Sequence, residues 1–174
     1  MHLLKRIFST NRQDKVTVRA LYDLVLKGAL ATGLYENGVA KDTFEGRFEQ
    51  VALHGALILR ALGKRGQKKQ AARLMDRIFS GFDHAYREKG VGDSSISRKV
   101  RGLGERFMGL ARGLNEALDS EKPQSLTEFL ARNGLAEAAR EQFAVYLRSA
   151  DKALRENQDV VHAVWPDLKW ATKD

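Results

Sequence analysis

The sequence predicts an all-α fold, a single-domain bundle of about five to six helices. The chain has 174 residues, which is the usual size of one domain. Apolar residues recur at helical spacing along most of it, and no strand-like alternation lasts long enough to support a sheet. There are only two prolines, Pro123 and Pro166, and each lies near a predicted segment end. An apolar fraction of 43 % supplies a core, so intrinsic disorder is not expected.

The first four helices follow from the positions of apolar residues and turns. Helix one is expected to begin near Val16 and to end at Gly33 and the turn over residues 36–38. Helix two is expected from Phe44 to Leu62, and helix three over about 68–87. Helix four follows a Gly-rich turn, and its apolar residues form a heptad-like seam that we interpret as bundle core. These residues are Ile96, Val100, Leu103, Phe107, Leu110, Leu114 and Leu118.

The C-terminal third is predicted to add two helices and a tail. A short helix runs from Ser125 to Arg132, and a longer one covers about 139–154. The tail holds Trp165 and Trp170, and we expect it to lie extended across the bundle with at least one indole packed down. Two pairs are spaced as capping boxes, in which a side chain caps the first turn of a helix: Asp42 with Glu45, and Ser125 with Glu128.

Helix four contains four glycines, Gly102, Gly104, Gly109 and Gly113. Each costs about 1 kcal/mol of helix propensity relative to alanine. We interpret them as sites where a neighbouring helix approaches closely, with Gly109 and Gly113 on one face. A pliable helix that admits an apolar client is the alternative.

The net charge of +8 is concentrated in the middle of the chain. Residues 61–115 carry 13 basic and five acidic side chains, whereas residues 116–174 carry eight and 11. Tips of neighbouring antiparallel helices can share one end of a bundle, so we predict a patch that suits phosphate backbones without base readout, with a merely solvated charge run as the alternative. The predicted patch consists of Lys64, Arg65, Lys68, Lys69, Arg98, Lys99 and Arg101. No aromatic residues interleave with these in sequence, which argues against single-strand base stacking.

Several kinds of chemistry are absent from the sequence. There is no cysteine, which excludes disulfides, zinc fingers and thiol nucleophiles, and no histidine pair has metal-ligand spacing. Phosphate-binding and nucleophile-elbow motifs are missing, so we expect no catalytic residue, metal or cofactor. Asp76, Asp83 and Asp93 are the one carboxylate set that a helical enzyme acting on lipid-like substrates could use. The N-terminus lacks a signal peptide, and a cytoplasmic protein is expected.

Two segments carry distinctive sequence motifs. Residues 42–49 read D-T-F-E-G-R-F-E and are followed by Leu53-His54; residues 83–93 read D-H-A-Y-R-E-K-G-V-G-D and are followed by Arg98-Lys99. In this order and spacing they resemble the ubiquinol–cytochrome c chaperone family over about residues 17–118. The family tends to have F-Y-G-R in the fourth helix, where this chain has Phe107-Met108-Gly109-Leu110. Residues 123–174 match poorly.

The resemblance implies an assembly factor rather than an enzyme. Mitochondrial relatives act with a small partner protein near the ribosomal exit tunnel and bind newly made cytochrome b before it enters respiratory complex III. The lack of a transit segment favours a bacterial member, cytoplasmic and peripheral at the inner membrane, with cytochrome b as client. A non-specific RNA-binding bundle is the alternative. The predicted client-binding or partner-binding residues are Arg47, Phe48, Glu49, His54, Asp83, Arg87, Gly90, Val91, Gly92 and Asp93.

The chain is divided accordingly into three parts. Residues 1–15 are expected to be a flexible or membrane-touching segment. Residues 16–120 form the chaperone-like helical core, and residues 121–174 form C-terminal helices and a tail packed on that core.

Overall fold

The computed structural model describes residues 2–90 and 93–167, with side chains described over 14–90 and 95–167. All regular structure in these residues is helical, which confirms the predicted fold class. Six helices have eight or more residues, and α2 and the 3₁₀ helix η1 are short. The elements are α1 (His2–Ala29), α2 (Thr32–Glu36), α3 (Phe44–Lys64), α4 (Lys68–Glu88), α5 (Asp93–Asp119), α6 (Ser125–Arg132), α7 (Glu137–Glu156) and η1 (Val160–His162).

Helix α3 lies at the centre of the bundle. It contacts α1, α4, α5 and α7, and every residue from Gln50 to Ile58 is buried. A helix that is apolar on all sides is typical of a core element, whereas one apolar stripe is typical of a surface helix. The heptad-like seam of α5 packs against α3, with Phe107 and Leu114 almost fully buried.

Some element boundaries differ from the predictions. Helix α1 begins at His2 rather than near Val16, and the five-residue α2 was not predicted because it is too short to show a period. The N-cap of α3 is Thr43, whose hydroxyl accepts a hydrogen bond from the Gly46 amide at 3.1 Å. The predicted capping boxes are therefore wrong, because Asp42 lies one residue too early and α6 has no side-chain cap.

The tail packs across the bundle as predicted. After η1, the chain is extended, and the Trp165 indole N–H donates to the Leu24 carbonyl at 2.9 Å. The same ring lies edge-on to His54, with 4.8 Å between centroids. Trp170 lies outside the described residues.

Ion pairs and hydrogen bonds fix the C-terminal end of α3. The Arg60 guanidinium is largely buried and pairs with Asp119 of α5 at 2.5 Å and with Asp151 of α7 at 3.0 Å. Arg65 follows directly after α3 and donates to backbone carbonyls at the end of α7, those of Leu154, Arg155, Asn157 and Gln158. Together they connect the C-terminal ends of α3, α5 and α7.

Candidate client-binding surface

The two distinctive sequence motifs lie at the same end of the bundle. A short turn joins α3 to α4, so the helices run antiparallel and the start of α3 meets the end of α4. Phe44 packs on Tyr86 with 4.9 Å between ring centroids, and Phe48 packs on Phe82 with 5.0 Å. We call this region the α3–α4 end; it comprises residues 42–49, residues 82–90 and the α5 side chains that contact them.

Arg47 is exposed on the first turn of α3. Its guanidinium bonds the Asp42 carboxylate at 2.6 Å, and more than half of each side chain is accessible. The hydrogen bond from Arg47 holds the pKa of Asp42 below its usual value. An exposed ion pair of this kind adds little stability, so both charges remain available to a binding partner.

Phe48 and Glu49 are held by a residue that the sequence did not single out, Arg106 of α5. Phe48 is buried, and the Arg106 guanidinium lies 5.3 Å above its ring centre. Arg106 also bonds the Glu49 carboxylate at 2.5 Å. Phe48 therefore packs beneath the surface, whereas the side chains of Glu49 and Arg106 are partly exposed on it.

The end of α4 supplies the second motif. Asp83 and Arg87 form an i, i+4 ion pair at 2.9 Å. Gly90 follows the helix with a φ of 73°, a left-handed conformation that favours glycine. Val91, Gly92 and the Asp93 side chain lie outside the described residues, so their predicted role stays a prediction.

Two lysine side chains lie over aromatic rings at this end. The Lys89 ammonium lies 4.3 Å from the Phe44 ring centre, and that of Lys99 lies 5.6 Å from the Tyr86 ring centre. Sequence spacing does not show this, because the rings come from α3 and α4 and Lys99 comes from α5. Such contacts contribute about 0.5–1 kcal/mol each at exposed sites.

The structure corrects the predicted position of His54. Its side chain is fully buried, so it cannot contact a client in this conformation. The ring Nδ1 lies 2.8 Å from the Gln50 carbonyl and Nε2 lies 2.9 Å from the Tyr146 hydroxyl. Burial lowers the pKa of His54 to about 4.

The prediction of one basic patch is also wrong. Lys64 lies beside Asp119 at the end of α5, whereas Lys99 lies near its beginning. Twenty residues of helix separate Lys99 from Asp119, a distance of about 30 Å. The two basic clusters therefore occupy opposite ends of the bundle, because α4 connects one to the other.

The first basic cluster is partly paired within the bundle. Lys64 pairs with Asp119 at 3.5 Å and Lys69 pairs with Asp14 at 2.8 Å, while Arg65 caps α7. In the second cluster Arg98, Lys99 and Arg101 are all exposed, and no ion pair links them to an acid among the described residues. The α3–α4 end thus has the larger share of exposed basic side chains without an acidic partner, since in the first cluster only Lys68 is of that kind among the described residues.

The enzyme alternative gains no support from the carboxylates. Asp76 lines an open groove between α1 and α4, and Asp83 is not part of that groove. Among the described residues no cluster of three or more potential metal ligands occurs. Within the same residues, no helix has the length and hydrophobicity needed to cross a membrane.

Comparison with known proteins decides the family. The model of the family described as ubiquinol–cytochrome C chaperone matches residues 36–163, which include α3–α7, η1 and the last residue of α2. The match extends well past residue 118, so the expected poor match of residues 123–174 is wrong over 123–163. The chain belongs to the ubiquinol–cytochrome c chaperone family. The crystal structure of the Cbp3 homolog from Brucella abortus is similar with a TM-score of 0.84 and 24 % identity, covering 95 % of this chain and 97 % of that one. That likeness shows the fold, and a search of curated protein sequences finds no match.

Proposed function

We propose that this chaperone-family protein binds newly made cytochrome b and assists assembly of the ubiquinol–cytochrome c reductase, respiratory complex III. The observation that carries the proposal is the family match over residues 36–163. The described residues add a surface where two motifs of the family resemblance meet, at the α3–α4 end. This role requires binding and release, and no catalytic step.

The client contacts are proposed for the exposed part of the α3–α4 end. Arg47, Glu49, Asp83 and Arg87 present charges of both signs beside half-buried Phe44 and Tyr86. An amphipathic helix of cytochrome b would pack its apolar face on these rings and place its polar residues against these charges. Phe48 and His54 act from behind it, by fixing α3.

The second basic cluster is proposed to position the protein near its client. Arg98, Lys99 and Arg101 are exposed at the same end, where phosphates of ribosomal RNA or of an anionic inner-membrane surface would be attracted. The proposed location is cytoplasmic and peripheral at that membrane. We also propose that a small partner protein binds the remaining surface of the α3–α4 end.

Deletion of the gene tests the assembly role. Complex III and spectroscopically detected cytochrome b should fall together, and the chain supplied in trans should restore both. Normal complex III in the deletion strain would overturn the proposal.

Site-specific crosslinking tests the surface. A photo-crosslinking residue at Arg47 should capture cytochrome b in cells, whereas one at the exposed Lys152 of α7 should not. Equal capture from both positions would contradict a specific α3–α4 surface. Capture of RNA alone from Arg47 would favour the RNA-binding alternative.

A further inference from the structure

A cavity of about 340 Å³ opens beside the α3–α4 end. It lies between the connection before α3, one face of α3, α5, and the connection from α6 to α7. Its apolar lining includes Leu53, Leu110, Leu130 and Phe143, and these residues also belong to the main core. The volume is at the small end of the range for ligand sites, which suits one long side chain with its adjoining backbone.

Gln50 brings an unpaired polar group to this cavity. The residue lines the cavity and is 3 % exposed. Its side-chain oxygen Oε1 is buried and has no hydrogen-bond partner among the described residues. Buried polar atoms are almost always paired, so this carbonyl oxygen is available to accept a hydrogen bond from a donor that enters the cavity.

The described lining of the cavity has more acidic than basic side chains, although the whole chain is basic. Glu45 and Glu49 line the cavity, against Lys41 as the single cation among its described lining residues. Glu49 is bonded to Arg106, whereas no ion pair holds the exposed Glu45 in the described part of the chain. A ligand group with positive charge would complement Glu45.

We propose that the cavity receives a lysine or arginine side chain from a partner polypeptide. The apolar stem would contact the leucine and phenylalanine lining, and the cationic head would donate to Gln50 Oε1 and face Glu45. A purely apolar side chain would leave Gln50 unpaired, and an acidic one would meet like charge. The inference rests on the proposed function only in taking the ligand to be part of a polypeptide.

Three capped tripeptides test the site on the full chain: acetyl-Ala-Arg-Ala-amide, acetyl-Ala-Lys-Ala-amide and the norleucine analogue. Saturating NMR shifts are expected at the amides of Gly46 and Gly134, which line the cavity. Both basic peptides should bind about tenfold more tightly than the norleucine peptide, because a hydrogen bond to a charged group is lost in the latter. Equal affinities would overturn the cationic assignment, and the absence of saturating shifts would overturn the site.

Variants separate binding from folding. Gln50→Met keeps the side-chain shape without the carbonyl, so it should clearly reduce the preference for basic peptides while thermal stability stays equal or rises. Glu45→Gln should weaken both basic peptides, and Glu116→Gln, an exposed glutamate of α5 outside the cavity, should not. An unchanged preference in Gln50→Met would contradict the proposal. Complex III levels after gene deletion are independent of these titrations, so the two proposals fail separately.

Discussion

At the scale of single residues, the contacts of His54 fix its protonation. A backbone carbonyl can only accept, so Nδ1 carries the proton donated to Gln50 and Nε2 accepts from the Tyr146 hydroxyl. Burial raises the pKa of Tyr146 and lowers that of His54, so both groups are neutral near pH 7. The ring is thereby tied to α3, α7 and Trp165 without any charge.

The first prediction is that stability falls as the pH is lowered from 6.5 to 4. In that range an unfolded His54, with a pKa near 6.5, binds a proton that the folded chain does not bind until its own pKa of about 4. The free energy of unfolding should therefore decrease by about 3 kcal/mol across this window and stay constant above it. Urea denaturation at a series of pH values measures it.

Two variants identify the histidine responsible. His54→Gln should remove most of the slope between pH 6.5 and 4, while His84→Gln, at an exposed position, should retain it. Asp119 loses its contribution only at lower pH, because its hydrogen bond from Arg60 lowers its pKa from 3.8 to about 2. A slope that survives in His54→Gln would contradict the assignment.

The second prediction concerns Trp165. Trp165→Ala should reduce the free energy of unfolding by about 3–5 kcal/mol, since a large side chain that packs on the core is lost. Trp165→Phe should recover much of this and lack the hydrogen bond to Leu24, worth about 1 kcal/mol. Val164→Ala is the control, because Val164 is 72 % exposed and should change little. Equal effects at 164 and 165 would contradict the packing.

At the scale of elements, the glycines of α5 differ in what surrounds them. A methyl group added at Gly113 would come within 2.8 Å of the Phe129 ring of α6, whereas nothing lies within 4 Å at Gly102 or Gly109. The predicted close approach is thus confirmed at Gly113 and wrong at Gly109. Helix spacing alone puts Gly109 and Gly113 on one face, but only the position of α6 distinguishes their surroundings.

The third prediction follows from that difference. Gly102→Ala and Gly109→Ala should each stabilise the fold by about 1 kcal/mol through helix propensity. Gly113→Ala should stabilise less or destabilise, because Phe129 must move. Thermal unfolding of the three variants gives the order. A Gly113→Ala protein as stable as Gly109→Ala would contradict this, because it would show that Phe129 moves aside without a cost in stability.

The long helices were predictable because their apolar residues repeat at a helical period. The helices α3–α7 lie within a few residues of their predicted bounds. Caps were not predictable, since Asp42 and Thr43 are adjacent and both are good N-cap residues. The position of His54 beside the apolar stripe of α3 indicates a core or interface histidine, but its partners on α7 and the tail are distant in sequence, so no local pattern identifies them.

At the scale of the whole molecule, the positive charge is divided between two ends with different roles. The end at which α3, α5 and α7 finish uses Arg60, Lys64 and Arg65 for internal bonds. The α3–α4 end leaves Arg98 and Lys99 exposed. Sequence order alone could have shown this separation, because one helix of 21 residues stands between the two clusters.

The fourth prediction separates these ends by charge reversal. Changing Arg98, Lys99 and Arg101 to Glu should strongly weaken co-sedimentation with ribosomes or anionic vesicles at low salt, and reduce the salt dependence of binding. Changing Lys64, Lys68 and Lys69 to Glu should affect co-sedimentation much less and lower stability instead, since Asp119 and Asp14 lose partners. The reverse result would assign anion binding to the other end.

The hydrogen bond between Trp165 and Leu24 spans 141 residues of sequence. During synthesis, α1 and α3 leave the ribosome long before the tail does. The space beside His54 and Gly28 that the indole fills therefore stays open to water until residue 165 emerges. Completion of this core is thus a late event of translation, and a nascent chain stalled before residue 165 should expose His54 to solvent.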